Sequence, residues 1–348
     1  MNSLHATAQT RGLTFGAAAG PRTITEPELC ALVKQHCGII TTDIALKWNT
    51  VCPSGPSYDW TQADNMIAWA EAANIKVKGH PLVWNEFNPT WLWTDSKTAP
   101  DFGELTSPMT VDEAKRVFDQ HITETIERFS GRIHIWDVVN EPIELAHGRD
   151  DGMRAKLWMK VWGPDYVARA FVRAHAADPH AKLFMNEQSL EKFNNEKARV
   201  KFLALIDRLL DAGVPIHGVG LESHLIMWAM VTHEGIMWLL NELHKRGLEV
   251  HISELDVAHV GDSGQGLPAG TDPATVDAAV ASFVGSYLDD VLSFPNVTTV
   301  ITWQLIDKYS WLYNSNPRPL PFDDCCQQKA FAREIERALI SARPRARR

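Results

Sequence analysis

The stretch 133-IHIWDVVNEP-142 runs through Ile133, Ile135, Trp136, Val138 and Val139 as a buried strand does, then stops at Asn140, Glu141 and Pro142. Proline has no amide proton to give a sheet, so it marks the end of the ladder. An amide and a carboxylate raised at that end need a reason, and the rest of the chain supplies one. Seven further apolar runs rich in Val and Ile recur at residues 13–17, 38–46, 75–83, 181–186, 217–224, 248–256 and 297–305. Between and after them, apolar residues fall at helical spacing over 26–36, 60–73, 111–129, 165–177, 195–212, 232–246, 273–292 and 329–342. Strand and helix alternate without exception, and no Gly/Ser linker divides them. The pattern predicts a single-domain α/β protein, a closed (β/α)8 TIM barrel over residues 13–342, with an N-terminal extension at 1–12 and a basic tail at 343–348. A doubly wound open sheet is the alternative. It wants a Gly-rich phosphate turn after the first strand, and "FGAAAG" lacks the G-x-G-x-x-G spacing.

Composition narrows the partners. The chain has 348 residues, 45% hydrophobic and 22% charged, with a formal net charge of -9. That balance gives no footprint for nucleic acid, and the only cluster of basic residues, "RPRARR", reads as a solvated end. No apolar run approaches the roughly 18 to 20 residues that span a bilayer, and the first residues lack the apolar middle of a secretory signal. The five cysteines, Cys30, Cys37, Cys52, Cys325 and Cys326, show no CxxC spacing and are expected to be structural thiols; no metal and no cofactor is predicted.

In a barrel, chemistry sits at the C-terminal ends of the strands. Those ends carry Asp43 and Lys47 (second strand), His80, Trp84 and Asn85 (third), Asn140 and Glu141 (fourth), and Asn186 and Glu187 (fifth). The sixth contributes Glu222 and His224, the seventh Glu254 and Asp256, and the eighth Trp303, followed by Trp311. Side chains alternate along a strand, so Glu254 and Asp256 point the same way, with His224 on the neighbouring strand placed to hold Glu254. Glycoside hydrolysis needs two carboxyls of unequal protonation, one giving a proton to the departing sugar oxygen and one staying charged opposite the oxocarbenium-like centre. Glu141, closing an apolar strand that carries Trp136, suits the acid; Glu254 suits the nucleophile. His251, at odd spacing from Glu254, is expected to face the helices.

The ordered motifs "GHPLVW", "WDVVNEP", "GVGLESHL", "HISELDV", "DKYSWL" and "PLPFD", spread from "FGAAAG" to "KAF" at Lys329, resemble those of glycoside hydrolase family 10, the endo-β-1,4-xylanases. The resemblance implies a retaining double displacement on β-1,4-linked xylan or xylo-oligosaccharides, by a protein secreted or periplasmic with its signal outside this chain; the residues alone leave an intracellular location equally open, and a monomer is expected. By the same carry-over Glu141 is the general acid/base, Glu254 the nucleophile, Asn140 the partner of a sugar hydroxyl and His224 a support for the nucleophile. Lys47, His80 and Trp84 match sugar-binding positions, and Trp303 and Trp311 an aromatic floor and wall. The chain departs from the pattern at Asp43 and Ile44 where the family has Glu-Asn, at Asn85 and Phe87 where "WHSQ" has His and Gln, and at Glu222 where the family has Gln. Those departures keep open a short or modified β-glycoside, such as an aryl or plant-metabolite glycoside, as substrate, and also a non-catalytic carbohydrate-binding relative. A metal-dependent barrel hydrolase would want an H-x-H pair on the first strand, which "LTFGA" does not have.

Overall fold

The computed structural model describes residues 3–96, 102–229, 233–260, 265–268 and 270–345. Eight parallel strands, β1 (Thr14–Ala19), β2 (Ile39–Thr42), β3 (Lys76–Gly79), β4 (Ile135–Asn140), β5 (Lys182–Glu187), β6 (Gly218–Leu221), β7 (Glu249–Ala258) and β8 (Val297–Thr302), each pair with the next. β8 returns to β1 in the register Thr14↔Thr299 to Ala17↔Thr302, which closes the barrel. A helix follows every strand: α1 (Pro27–His36), α2 (Thr61–Ala72), α3 (Val111–Phe129), α4 (Tyr166–Ala177), α5 (Glu196–Asp211), α6 (His233–Lys245), α7 (Pro273–Leu292) and α8 (Ala330–Ser341).

Local chemistry sets these boundaries. α3 begins at a reciprocal cap in which Thr110 Oγ1 accepts the Glu113 amide at 3.2 Å and Glu113 Oε2 accepts the Thr110 amide at 2.9 Å. α7 begins at Pro273, behind an Asp272 side chain that accepts the Ala274 amide at 3.0 Å. α8 buries Phe331, Ala332, Ile335, Ala338 and Leu339 on one face, each large side chain worth about 1.5–3 kcal/mol when fully removed from water. The strands are buried on both sides; all ten residues of β7 are, as expected of a parallel sheet wrapped in helices.

The segment expected as an N-terminal extension carries a helix, Leu4–Gln9, that packs under the barrel. Leu4 and Ala8 are fully buried, and the His5 ring occupies the space a side chain at Gly38 would need. Arg345, in the tail, donates its amide to the Arg11 carbonyl at 2.7 Å and its Nε to the Val297 carbonyl at 2.9 Å. Residues 1–2 and 346–348 of these two segments, and 232 of the sixth expected helix, lie outside the described residues. All five cysteines are free thiols, Cys37 and Cys52 buried.

Three strands are shorter than their apolar runs suggest, and each break occurs at the mouth. β2 ends at Thr42 and the chain turns through residues 43–46. β3 stops before His80-Pro81 and pairing resumes only at Val83–Trp84, against Val139 and Asn140. β6 stops before Glu222 and Ser223, the latter with φ +60°, and resumes at His224–Ile226 against β7. β7 shifts register between Ile252 and Leu255, which defeats simple alternation. His251 accordingly packs on Phe184, ring centroids 4.3 Å apart, beneath which Lys78 also sits; it belongs to the barrel interior, not to the helix layer.

Candidate active site

Glu141 leaves β4 with φ +48°, a left-handed conformation that a non-glycine residue holds only when its surroundings fix it. Its amide donates to the Asn186 carbonyl at 2.9 Å and its carbonyl accepts Arg154 Nε at 3.0 Å. Phe87, Ser189, Ser223 and Gln304 share this backbone region, so strain gathers around one mouth. The Glu141 carboxylate accepts Arg154 Nη2 at 2.7 Å and Gln188 Nε2 at 3.1 Å on Oε2, with Asn140 Nδ2 at 3.4 Å from Oε1. Burial pushes its pKa up, Arg154 opposes, and the Glu254 charge adds to the rise, leaving it above the ordinary value. Trp136, expected to line this carboxyl, instead packs against Gly79; the groups on the carboxyl are polar.

Glu254 is built the other way. Asn186 Nδ2 donates to its Oε1 at 2.8 Å, His224 Nε2 to its Oε2 at 3.2 Å, and His80 Nε2 stands 3.8 Å from Oε1. Burial works against its charge, but His80 and His224 outweigh it and hold the pKa below the ordinary value. Both histidines are aimed from behind by carboxylates. Asp256 Oδ1 takes His224 Nδ1 at 2.9 Å while Asp256 Oδ2 takes Trp311 Nε1 at 2.8 Å. Asp137 Oδ2 takes His80 Nδ1 at 3.0 Å while its Oδ1 pairs with Lys78 Nζ at 2.8 Å. For His224, burial is outweighed by Asp256 and Glu254, so the ring is held protonated.

Asn186, expected to touch substrate, is fully buried and ties the two halves together. Its Nδ2 reaches Asn140 Oδ1 at 2.8 Å and Glu222 Oε1 at 3.2 Å besides Glu254, and its Oδ1 accepts Ser253 Oγ at 2.7 Å. The approach is possible because β6 carries Gly220, where any side chain would collide with Asn186 Oδ1. Glu222, 2% exposed, receives the poorer share of both donors, with His224 Nε2 at 3.8 Å. Burial and the Glu254 charge raise its pKa well above the ordinary value. One oxygen each of Glu222 and Glu254 and a nitrogen of His224 lie within 4.8 Å of one another, a spacing that suits a cation. His224 Nε2 is already engaged with Glu254 Oε2 at 3.2 Å.

Around this pair, Gln304 Nε2 donates to Asp43 Oδ2 at 2.9 Å, Lys47 Nζ stands 4.0 Å from Asp43 Oδ1, and Trp303 meets the His80 ring edge-on at 5.4 Å. Trp84, Phe87 and the exposed Trp311 also sit at the mouth. Asn85 does not join them: it is 1% exposed, its Oδ1 facing the Trp158 amide at 3.4 Å. Three contributors escaped the sequence reading. Asp137 lies inside its strand rather than at the end, and Arg154 sits in a loop with no pattern. Gln188 is one residue past the fifth strand. Glu187, expected at the end of that strand, is buried there and accepts the Ile143 amide at 2.9 Å.

A barrel mouth that sets one carboxyl to hold a proton and another to hold a charge carries the pair that glycoside hydrolysis needs. Comparison with known proteins narrows it: the model of glycosyl hydrolase family 10 matches residues 3–338, and the chain belongs to that family. It is 32% identical over 312 residues to endo-1,4-beta-xylanase A of a Caldicellulosiruptor species, covering 87% of this chain and 43% of that longer protein. It is 31% identical over 326 residues to endo-1,4-beta-xylanase B of Paenibacillus barcinonensis, covering 90% and 92%. Among solved structures, xylanase 10B of Thermotoga maritima superposes with a TM-score of 0.83 at 27% identity, covering 97% of this chain and 98% of that one. Xylanase 10B of Thermotoga petrophila, solved with xylobiose, gives 0.83 and 27%, covering 97% of each.

Proposed function

We propose that the protein is a retaining glycoside hydrolase that cuts β-1,4-linked xylan or xylo-oligosaccharides as a monomer. The observation that carries this reading is the opposite treatment of two buried carboxyls: Glu141 is pushed toward holding a proton, Glu254 toward holding a charge. Glu254 attacks the anomeric carbon as Glu141 gives its proton to the departing oxygen, forming a glycosyl ester on Glu254. Glu141, now ionised and next to Arg154, takes a proton from water, which attacks the same carbon and frees Glu254. Protonated His224 and Asn186 balance the charge that returns to Glu254 in that step.

The test is hydrolysis of a panel of aryl β-glycosides and β-1,4-linked polymers, with the anomeric form of the first product followed by NMR. The β-xyloside and xylan are expected to be cut with retention, and Glu254→Gln to lose at least about a thousandfold in turnover. Inversion, or a Glu254→Gln protein with wild-type turnover, refutes the reading.

A further inference from the structure

Past Asp43 the mouth changes character. Ile44 and Phe87 are 40% and 47% exposed, two large apolar side chains held out at the rim. Phe87 is fixed there by its backbone, with φ +52° and a carbonyl that accepts the Asn49 amide at 3.0 Å. Its ring stacks on Trp84 with centroids 5.0 Å apart. Lys47 Nζ stands 4.1 Å from the centre of the Phe87 ring and 5.3 Å from that of Trp84. The lysine is 8% exposed, and its ammonium makes no hydrogen bond among the described residues, Asp43 being 4.0 Å away. The patch adjoins the reacting end through Asp43, Gln304, Trp303 and His80, which faces Glu254.

A plain sugar unit presents hydroxyls on every edge, and each one buried without a partner costs about 1–3 kcal/mol. Ile44 and Phe87 offer no partner and Lys47 offers donors alone, and the acceptor beside them is the Asp43 carboxylate, one of whose oxygens already takes Gln304 Nε2 at 2.9 Å. An ester on one of those hydroxyls removes the O–H donor, supplies a carbonyl oxygen for the ammonium, and adds an apolar group for the ring and the isoleucine. We propose that Ile44, Lys47 and Phe87 form a shelf for an O-acylated sugar unit of the substrate, its ester carbonyl on Lys47 Nζ and its acyl group against Phe87 and Ile44. The assignment rests on the glycoside hydrolase reading above and narrows its substrate.

Acetylated xylo-oligosaccharides, and the same material after mild alkaline deacetylation, separate the possibilities. Binding of each to Glu141→Gln is measured by calorimetry, and hydrolysis of each by the wild-type protein, Phe87→Asn and Ile44→Asn. Asparagine tolerates the left-handed backbone at position 87, and both side chains are exposed, so the fold is not at stake. The acetylated material is expected to bind, and to be cut, about 10-fold better or more, with the ratio falling toward one in Phe87→Asn. Equal or better binding of the deacetylated material, binding of neither, or an unchanged ratio in both variants overturns the shelf. Cleavage of an unsubstituted aryl β-xyloside by the wild-type protein reports separately on the glycosidase: failure there, with selective binding intact, refutes the proposed reaction and leaves the shelf standing.

Discussion

Arg154 Nη2 lies 2.7 Å from Glu141 Oε2 while its Nε holds the Glu141 carbonyl at 3.0 Å. One side chain thus fixes the place of the Glu141 carboxyl and pulls its pKa down against the effect of burial. A guanidinium beside a general acid works against protonation in the ground state, and it stabilises the carboxylate that the reaction creates.

Arg154→Leu removes the group that pulls the Glu141 pKa down, so that pKa rises further. The alkaline limb of kcat/KM, which reports the group that must be protonated, is expected to move up by about one pH unit. Turnover falls by roughly 10-fold as the Glu141 backbone loosens. A pH profile on an aryl β-xyloside checks both, and an unmoved alkaline limb contradicts the assignment of Glu141.

Asn186→Leu removes the 2.8 Å donor from Glu254 Oε1. The carboxylate loses a hydrogen bond to its charged form, so its pKa rises and the acidic limb of the profile moves to higher pH. Turnover is expected to fall on the order of 100-fold, the scale of one oriented donor at a reacting charge. An acidic limb that stays in place would sink this role.

Glu222→Gln isolates a titration that affects stability. In the folded protein the Glu222 pKa is raised well above its ordinary value, against about 4.3 in an unfolded chain. Between the two, the native state holds a proton that the unfolded state has lost, so stability is full below the lower value and drains as pH rises toward the upper one. The variant cannot titrate there, and its Tm should fall less than that of the wild type as pH rises above the unfolded value of about 4.3. Parallel Tm curves would show Glu222 ionised in the fold.

Lys78→Met leaves Asp137 in the barrel interior with its Oδ1 unpaired and only His80 on the other oxygen, where both side chains are fully buried. Removing one partner of a buried ion pair costs about 3–5 kcal/mol, which urea unfolding measures directly. A loss under about 1 kcal/mol, the size of an exposed pair, would mean that the pair is not buried in solution.

Much of the fold was legible because two periods alternate cleanly; α3 and α7 fall on the residues where the apolar pattern and the caps at Thr110 and Asp272 meet. Strand ends were less legible. Runs such as 38–46 and 217–224 stay apolar past the point where the backbone turns, and those turns carry Asp43 and Glu222. Glu141 and His224 were readable because they flank strand breaks, and Glu254 because a carboxylate interrupts the apolar run of β7 from within the strand. Asn186 was found, but its role was not: whether an amide faces a sugar or braces two carboxyls depends on Gly220, on a strand apart in sequence. Arg154 gave no signal, since a loop residue gains its role only when the loop folds back over the mouth.

The central claim is that Glu254 forms the bond to the sugar while its neighbour Glu222 does not. An aryl β-xylobioside fluorinated at C2 slows the second step more than the first and lets the glycosyl ester accumulate. Mass spectrometry of peptides from the treated protein is predicted to place the added sugar on Glu254. A sugar on Glu222, or none on any carboxylate while the aryl group is still released, would contradict the account.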